Sequence, residues 1–184
     1  LAHLHARQLP QDIAGNEGTS YHLPAYDLEP LLTEVELFLE WYYPAFSKGP
    51  LSEQARTQFF ELWRGLIEPC LKDRQTWTLR DYHSPNLFWL PHRVGVRRIG
   101  IIDFQDAVYG PITYDIASLM RDAFLSWDED FVLDVTIRYW EKARKLGLMD
   151  FEDWANDFGA FYRAVEWMGL QRHLKVAGIF ARLT

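Results

Sequence analysis

Beginning at Asp27, apolar residues recur three and four apart. Leu28, Leu31, Leu32, Val35, Phe38, Leu39 and Tyr42 lie on one face of a helix that Asp27 is placed to cap. Ser47, Lys48, Gly49 and Pro50 break that pattern. A second helix follows with Phe59, Leu62, Trp63, Leu66 and Ile67 on one face, and Pro69 ends or kinks it. Residues 1–7 read as part of an amphipathic helix. Residues 10–24, rich in Pro, Gly, Asn and Ser, read as an irregular loop. The middle of the chain changes period. Residues 76–79, 87–90 and 99–104 are short β-prone runs, and residues 91–95 form the turn that joins the last two into a hairpin. Helical signals return after Pro111. The clearest is Phe151, Trp154, Phe158, Phe161, Val165 and Met168, spaced 3, 4, 3, 4 and 3, which predicts a core-facing stripe. The predicted class is therefore α+β and mostly helical, with a small β region set between helical stretches.

Composition narrows the class. With 184 residues, 48% of them apolar, the chain is long enough for one sizeable core. A formal charge of -7 argues against nucleic-acid binding, which needs clustered Lys and Arg. The same charge suits a site for Mg²⁺ or a cationic substrate, but ordinary solubilising surface charge is the favoured account of it. The single cysteine, Cys70, excludes an internal disulfide and fits a reducing compartment; its place in the apolar run 59–71 predicts a buried, inert thiol. No run approaches the roughly 18 apolar residues of a membrane span, and no signal peptide opens the chain, so a cytoplasmic location is expected. The chain starts at Leu1, within a helical pattern and without Met, and stops at Thr184 without a terminating signal, so it reads as cut at both ends.

The polar residues that need explaining crowd into the β region. Leu79-Arg80-Asp81-Tyr82-His83-Ser84-Pro85-Asn86 follows a short strand and sets Asp81 and Asn86 on either side of a turn containing Pro85. Ile101-Ile102-Asp103-Phe104 ends an apolar run with a carboxylate. A hairpin over residues 87–102 would fold Asp103 back beside Asn86, so that an amide oxygen and a carboxylate converge on a hard cation while Asp81 remains free as a base. Mg²⁺ takes a few such oxygens and fills its other positions with water and substrate phosphates. Phosphoryl transfer asks for this much, because its transition state needs positioning and charge neutralisation more than covalent help.

Asp81-x4-Asn86 followed by Ile102-Asp103-Phe104 resembles the catalytic and metal-binding loops of the aminoglycoside phosphotransferase/choline kinase family, which are protein-kinase-like enzymes. Gly110-Pro111-x-x-Tyr114-Asp115-Ile116-Ala117 is similar to the family's next segment, where an Asp at a helix start braces the catalytic loop. Residues 79–83, 103–107 and 171–182 are most similar to the family's anomeric sugar kinases, which phosphorylate N-acetylmuramic acid and N-acetylglucosamine at the 1-position. The resemblance covers nearly the whole chain. It implies that residues 1–184 form the C-terminal lobe of a protein-kinase-like fold, with ATP and Mg²⁺ as cofactors and a small-molecule acceptor. Residue by residue, it implies Asp81 as the catalytic base, Asn86 and Asp103 as Mg²⁺ ligands, Asp115 as structural, and a supporting role for His83. Two departures stand out: Leu79-Arg80 replaces the family's frequent His-Gly before the base, and the hairpin between Asn86 and Asp103 is a few residues longer. The phosphate-covering glycine-rich loop and the phosphate-pairing lysine find no match, so the N-terminal nucleotide lobe is expected to lie outside this chain, and nucleotide-binding residues are not identified within it.

Competing readings remain open on sequence alone. An aminoglycoside or choline-type acceptor would need several pocket carboxylates; a pseudokinase-like binding module would have no need of Asp81, Asn86 and Asp103 together; a two-carboxylate hydrolase would need Asp81 and Asp103 to flank a cleft without metal. Bland structural or solvated roles are expected for His3, His5, His22, His92, Asp106 and the cluster Arg93, Arg97, Arg98. Tyr42, Tyr43 and Trp127 read as core residues or sugar-pocket walls.

Overall fold

The computed structural model describes residues 1–47 and 49–184. Of the four predicted helix-breaking residues, Lys48 lies outside the described residues. The chain opens with a single helical turn, α1 (Ala2–His5), then strands β1 (Asp12–Ala14) and β2 (Ser20–His22). Helix α2 (Leu28–Leu37) runs on through a π turn (Phe38–Tyr42) into α3 (Tyr43–Phe46), and α4 (Glu53–Ile67) passes into a 3₁₀ turn (Glu68–Lys72). Strand β3 (Gln75–Thr78), hairpin strands β4 (Leu87–Trp89) and β5 (Ile99–Ile101), and strand β6 (Val108–Pro111) come next. Three helices complete the chain: α5 (Thr113–Met120), α6 (Glu129–Lys145) and α7 (Phe158–Leu183).

The cap predicted at Asp27 is present, its carboxylate accepting the Glu29 N–H; a second, not predicted, forms at the start of α4, where the Ser52 hydroxyl accepts the Ala55 N–H. At Glu68, one residue before Pro69, α4 tightens to 3₁₀, as a proline that removes a helical N–H requires. The long final helix packs on α2, its π turn and α5. Its buried residues Phe161, Val165 and Met168 join Leu31, Val35, Trp63, Ile67, Ile112, Tyr114 and Ile116 in one core. Gln171, fully buried in that core, is satisfied on both sides. Its amide oxygen accepts the Trp63 indole N–H at 2.7 Å and its NH₂ donates to the Leu31 carbonyl at 2.9 Å, so one side chain ties α7 to α4 and α2. About two turns further on, Gly178 meets the Leu37 backbone. A Cβ there would stand 2.4 Å from the Leu37 carbonyl carbon, so only glycine lets the two helices approach this closely.

The strands form three separate antiparallel pairs. β4 and β5 make the predicted hairpin, with Leu87 opposite Ile101 and Phe88 opposite Gly100. β3 pairs with β6, Thr76 opposite Gly110, which carries the chain straight into α5.

Several local expectations need correction. Residues 10–24 contain the hairpin β1–β2, with Ile13 opposite Tyr21; loop-forming residues there serve as its turn. The strand expected over 99–104 ends at Ile101, because Asp103 takes a positive φ of 59° that a strand does not admit. The stripe from Phe151 to Met168 is not one helix: Phe151 and Trp154 precede α7 in a turn, although both still pack into the core. Leu62 is 65% exposed, so the buried face of α4 is narrower than its periodicity suggests. Cys70 is buried as expected, and desolvation pushes its thiol up to about 12, which leaves it inert near neutrality. Among the described residues no helix is long and apolar enough to cross a membrane.

Candidate functional site

Strand β3 delivers the chain to Leu79, and the β3–β6 pairing brings the first turn of α5 alongside it. Asp115, fully buried in that turn, accepts the Leu79 N–H at 2.8 Å and the Arg80 N–H at 3.0 Å through its two oxygens. Arg80 has φ 64°, and the Asp81 N–H closes back on the Leu79 carbonyl at 2.8 Å, a tight turn in a region that non-glycine residues avoid. The Arg80 carbonyl is held as firmly, accepting from the Ser118 hydroxyl at 3.1 Å and from Arg172 Nη1 at 3.0 Å. The Arg80 side chain, with Lys175, pairs with Glu34, whose other oxygen takes the Tyr26 hydroxyl. The bend is thus fixed at its N–H, its carbonyl and its side chain, and it turns Asp81 outward with a side chain 37% exposed.

Beyond Asp81 the loop folds on itself. His83 N–H donates to the Asp81 carbonyl, Asn86 N–H to the His83 carbonyl, and Pro85 sits in the 3₁₀ turn Ser84–Asn86, where its missing N–H leaves no donor unpaired. The β4–β5 register then returns the chain to Asn86: the Ile102 N–H bonds to the Asn86 carbonyl at 3.1 Å, and Asp103 follows. The Asn86 NH₂ donates to the Asp81 carbonyl at 3.0 Å and to Asp103 Oδ2 at 3.3 Å, while the Gln105 amide donates to Asp103 Oδ1 at 2.7 Å. The three residues singled out from the sequence therefore meet at one exposed edge.

The donor set suits a hard cation. Asn86 and Asp103, joined by the bond from the Asn86 NH₂ to Asp103 Oδ2, bring an amide oxygen and an exposed carboxylate to one place in the fold. Among the described residues no group of three or more His, Cys, Asp or Glu side chains is placed to hold a metal alone. Two protein oxygens that leave the remaining positions to water and phosphates is the pattern Mg²⁺ accepts and Zn²⁺ does not.

The other side of Asp81 is built differently. Arg172, from α7, is 3% exposed at its side chain and reaches Asp81 Oδ1 at 3.3 Å, with its second NH₂ group 3.5 Å from His83 Nδ1. Burial, then the guanidinium, holds His83 below its ordinary value. A neutral ring whose Nδ1 faces a donor carries its proton on Nε2. His83 packs against Phe124 (ring centroids 5.4 Å apart), and Asp122 holds the segment by accepting the Ser84 and Phe124 N–H groups.

The roles of Arg172, Ser118, Asp122 and Glu34 escaped the sequence reading, although Arg172 lies in the stretch 171–182 quoted for its resemblance. Each acts on a loop 38 to 92 residues away, and no spacing signals that. His5, set aside as a metal ligand, is buried with Nδ1 2.7 Å from the Tyr139 hydroxyl and Nε2 3.8 Å from Asp115, so it lies behind the site. Asp106 is exposed, His22 pairs with Asp12, and Arg98 covers Trp89 in the exposed hairpin end that also carries His92. Tyr42 stacks on Phe38 and Trp127 on Phe131.

Residues 1–156 match the model of the phosphotransferase enzyme family. The chain is similar to three proteins named N-acetylmuramate/N-acetylglucosamine kinase. One, from Neisseria meningitidis serogroup B, is 48% identical over 170 residues, covering 92% of this chain and 47% of the relative. Those of Pseudomonas putida and Pseudomonas aeruginosa are 40% and 38% identical, each covering 88% of this chain and 45% of the relative. The chain thus spans about half the length of the curated relatives it matches. The family match and the loop order, Asp81 to Asn86, then Asp103, then Asp115, agree, and the chain belongs to the phosphotransferase enzyme family.

Proposed function

We propose that the intact protein is an ATP- and Mg²⁺-dependent kinase that phosphorylates an N-acetylated amino sugar at its anomeric hydroxyl. In this reading Asp81 is the base, Asn86 and Asp103 are the Mg²⁺ ligands, and a nucleotide lobe outside these residues supplies the remaining ATP contacts. The observation that carries the reading is the Asn86 side chain, whose one NH₂ group spans the Asp81 backbone and the Asp103 carboxylate. It fixes the separation between the base and the metal-binding edge. The bound ion would neutralise charge on the transferring phosphoryl group. Asp81, turned outward by the bend at Arg80, accepts the acceptor's proton and orients its oxygen, help worth about 10²–10⁴-fold.

The choice of acceptor rests on the relatives named N-acetylmuramate/N-acetylglucosamine kinase. Beside Asp81 stand Arg172, His83 and Phe124, and the nearby Asp122 carboxylate is engaged by the Ser84 and Phe124 N–H groups. ATP and a reduced Cys70 are both compatible with a cytoplasmic enzyme.

Two variants of the intact protein test the roles separately. Asp81→Ala is expected to lower turnover by about 10²-fold or more with nucleotide binding retained; near-normal turnover defeats the base assignment. Asp103→Ala is expected to weaken Mg·ATP binding in calorimetry, and an unchanged affinity removes it from the metal site. An ATP-consumption screen across N-acetylmuramic acid, N-acetylglucosamine, kanamycin and choline decides the acceptor.

A further inference from the structure

We propose that Arg172 is the positioning residue for Asp81, fixing Oδ1 so that Oδ2 is presented to the acceptor hydroxyl. The inference rests on the reading of Asp81 as the base. In the transfer step the acceptor's O–H proton passes to Asp81 Oδ2, its oxygen forms the new bond to the γ-phosphorus, and the bond from that phosphorus to the ADP oxygen breaks.

All the hydrogen bonds of the Arg172 side chain go to one short stretch of loop. Nη1 is shared between the Arg80 carbonyl at 3.0 Å and Asp81 Oδ1 at 3.3 Å, and Nη2 faces His83 Nδ1 at 3.5 Å. Its Nε is buried with no partner among the described residues. Carbonyl contact alone would suffice to hold the bend, since Ser118 already bonds the same Arg80 oxygen. The bond to Asp81 is different. That carboxylate is 37% exposed and would be solvated without help, yet a 3% exposed guanidinium is directed at it. Among the described residues Asp81 Oδ1 accepts from Arg172, while Oδ2 accepts no protein hydrogen bond. One oxygen is anchored and the other is left free, which is the division of labour a general base needs.

Asp81 faces Arg172 and His83 and, across Asn86, the Asp103 carboxylate; Arg172 also lies beside Tyr114, and Asp122 stands beyond His83.

The test uses the intact protein. In Arg172→Gln, kcat is expected to fall about 10- to 100-fold while KM for ATP stays within about twofold and the circular dichroism spectrum is unchanged. Arg172→Lys, which keeps the charge without the fork, should recover part of kcat. If Arg172→Gln does not fold, Arg172→Lys decides: an unchanged kcat overturns the proposal. An unchanged kcat in folded Arg172→Gln, alongside an inactive Asp81→Asn, sinks this inference alone. Near-normal turnover in Asp81→Asn sinks the base reading and takes this one with it.

Discussion

The bend at Arg80 concentrates more restraint than any other residue-scale feature of the chain. A positive φ on a side chain as large as arginine stands against the backbone's own preference. It persists because Asp115, Ser118 and Arg172 between them take both polar atoms of the peptide. Asp115→Ala leaves the Leu79 and Arg80 N–H groups buried without an acceptor, and is expected to lower unfolding free energy by about 2–4 kcal/mol, read from urea denaturation. The role of Asp115 as a brace was available from the Gly110–Ala117 resemblance. The need for it was not: a sequence does not display a φ angle, and Arg80 carries no glycine to advertise one. His5 is a second case of hidden context. Six histidines look alike in the sequence, and only the fold shows this one buried between Tyr139 and Asp115. Burial holds its pKa below the ordinary histidine value of about 6.5, against a smaller opposing pull from Asp115. Below that value the unfolded chain binds a proton that folded His5 refuses, so stability drops as pH falls from 6.5 towards the folded value and levels off beneath it. Urea midpoints between pH 7.5 and 5.5 should show this loss, at most about 1.4 kcal/mol per pH unit from His5. His5→Gln should make the slope shallower; an unchanged slope assigns it elsewhere.

At the scale of elements, the helices were legible and the strand partners were not. Period marked α2 and α4 directly, with a cap at α2, because amphipathic spacing is local information. The pairing of β3 with β6 joins residues 30 to 36 positions apart, and nothing in four residues of alternating burial names the partner. The run to Phe104 was overread for a related reason: Ile102 and Phe104 are as apolar as strand residues, yet Asp103 between them turns the backbone out of the sheet. Contacts between helices show the same limit. Gly178 looks like a weak point in α7 by propensity, whereas the fold uses it for close approach to Leu37. Gly178→Ala would improve helix propensity but place a Cβ against backbone that cannot yield. It is expected to destabilise by about 1–3 kcal/mol, visible as a lower Tm.

For the molecule as a whole, the reading from sequence recovered which loops meet but not what stands behind them. Asp81, Asn86 and Asp103 fall together because a hairpin of known register closes the distance, and a motif with ordered spacing encodes that register. The supporting shell comes from α2, α5 and α7 through Glu34, Ser118 and Arg172, each from a helix whose pattern speaks only of burial. Trp154, Phe161 and Tyr139 pack edge and face between α6 and α7.

One consequence of α7 concerns length and not identity. Met168, Gln171, Arg172, Lys175 and Gly178 all lie on its inward side, and each engages a different neighbour: core, α4 and α2, the Arg80 bend, Glu34, and the Leu37 backbone. Adding or deleting a single residue before Met168 would rotate that whole series by about 100° and advance it by about 1.5 Å, misaligning five attachments at once. Over evolutionary drift this stretch should therefore accept exchanged side chains on its outer side far more readily than any change in its count.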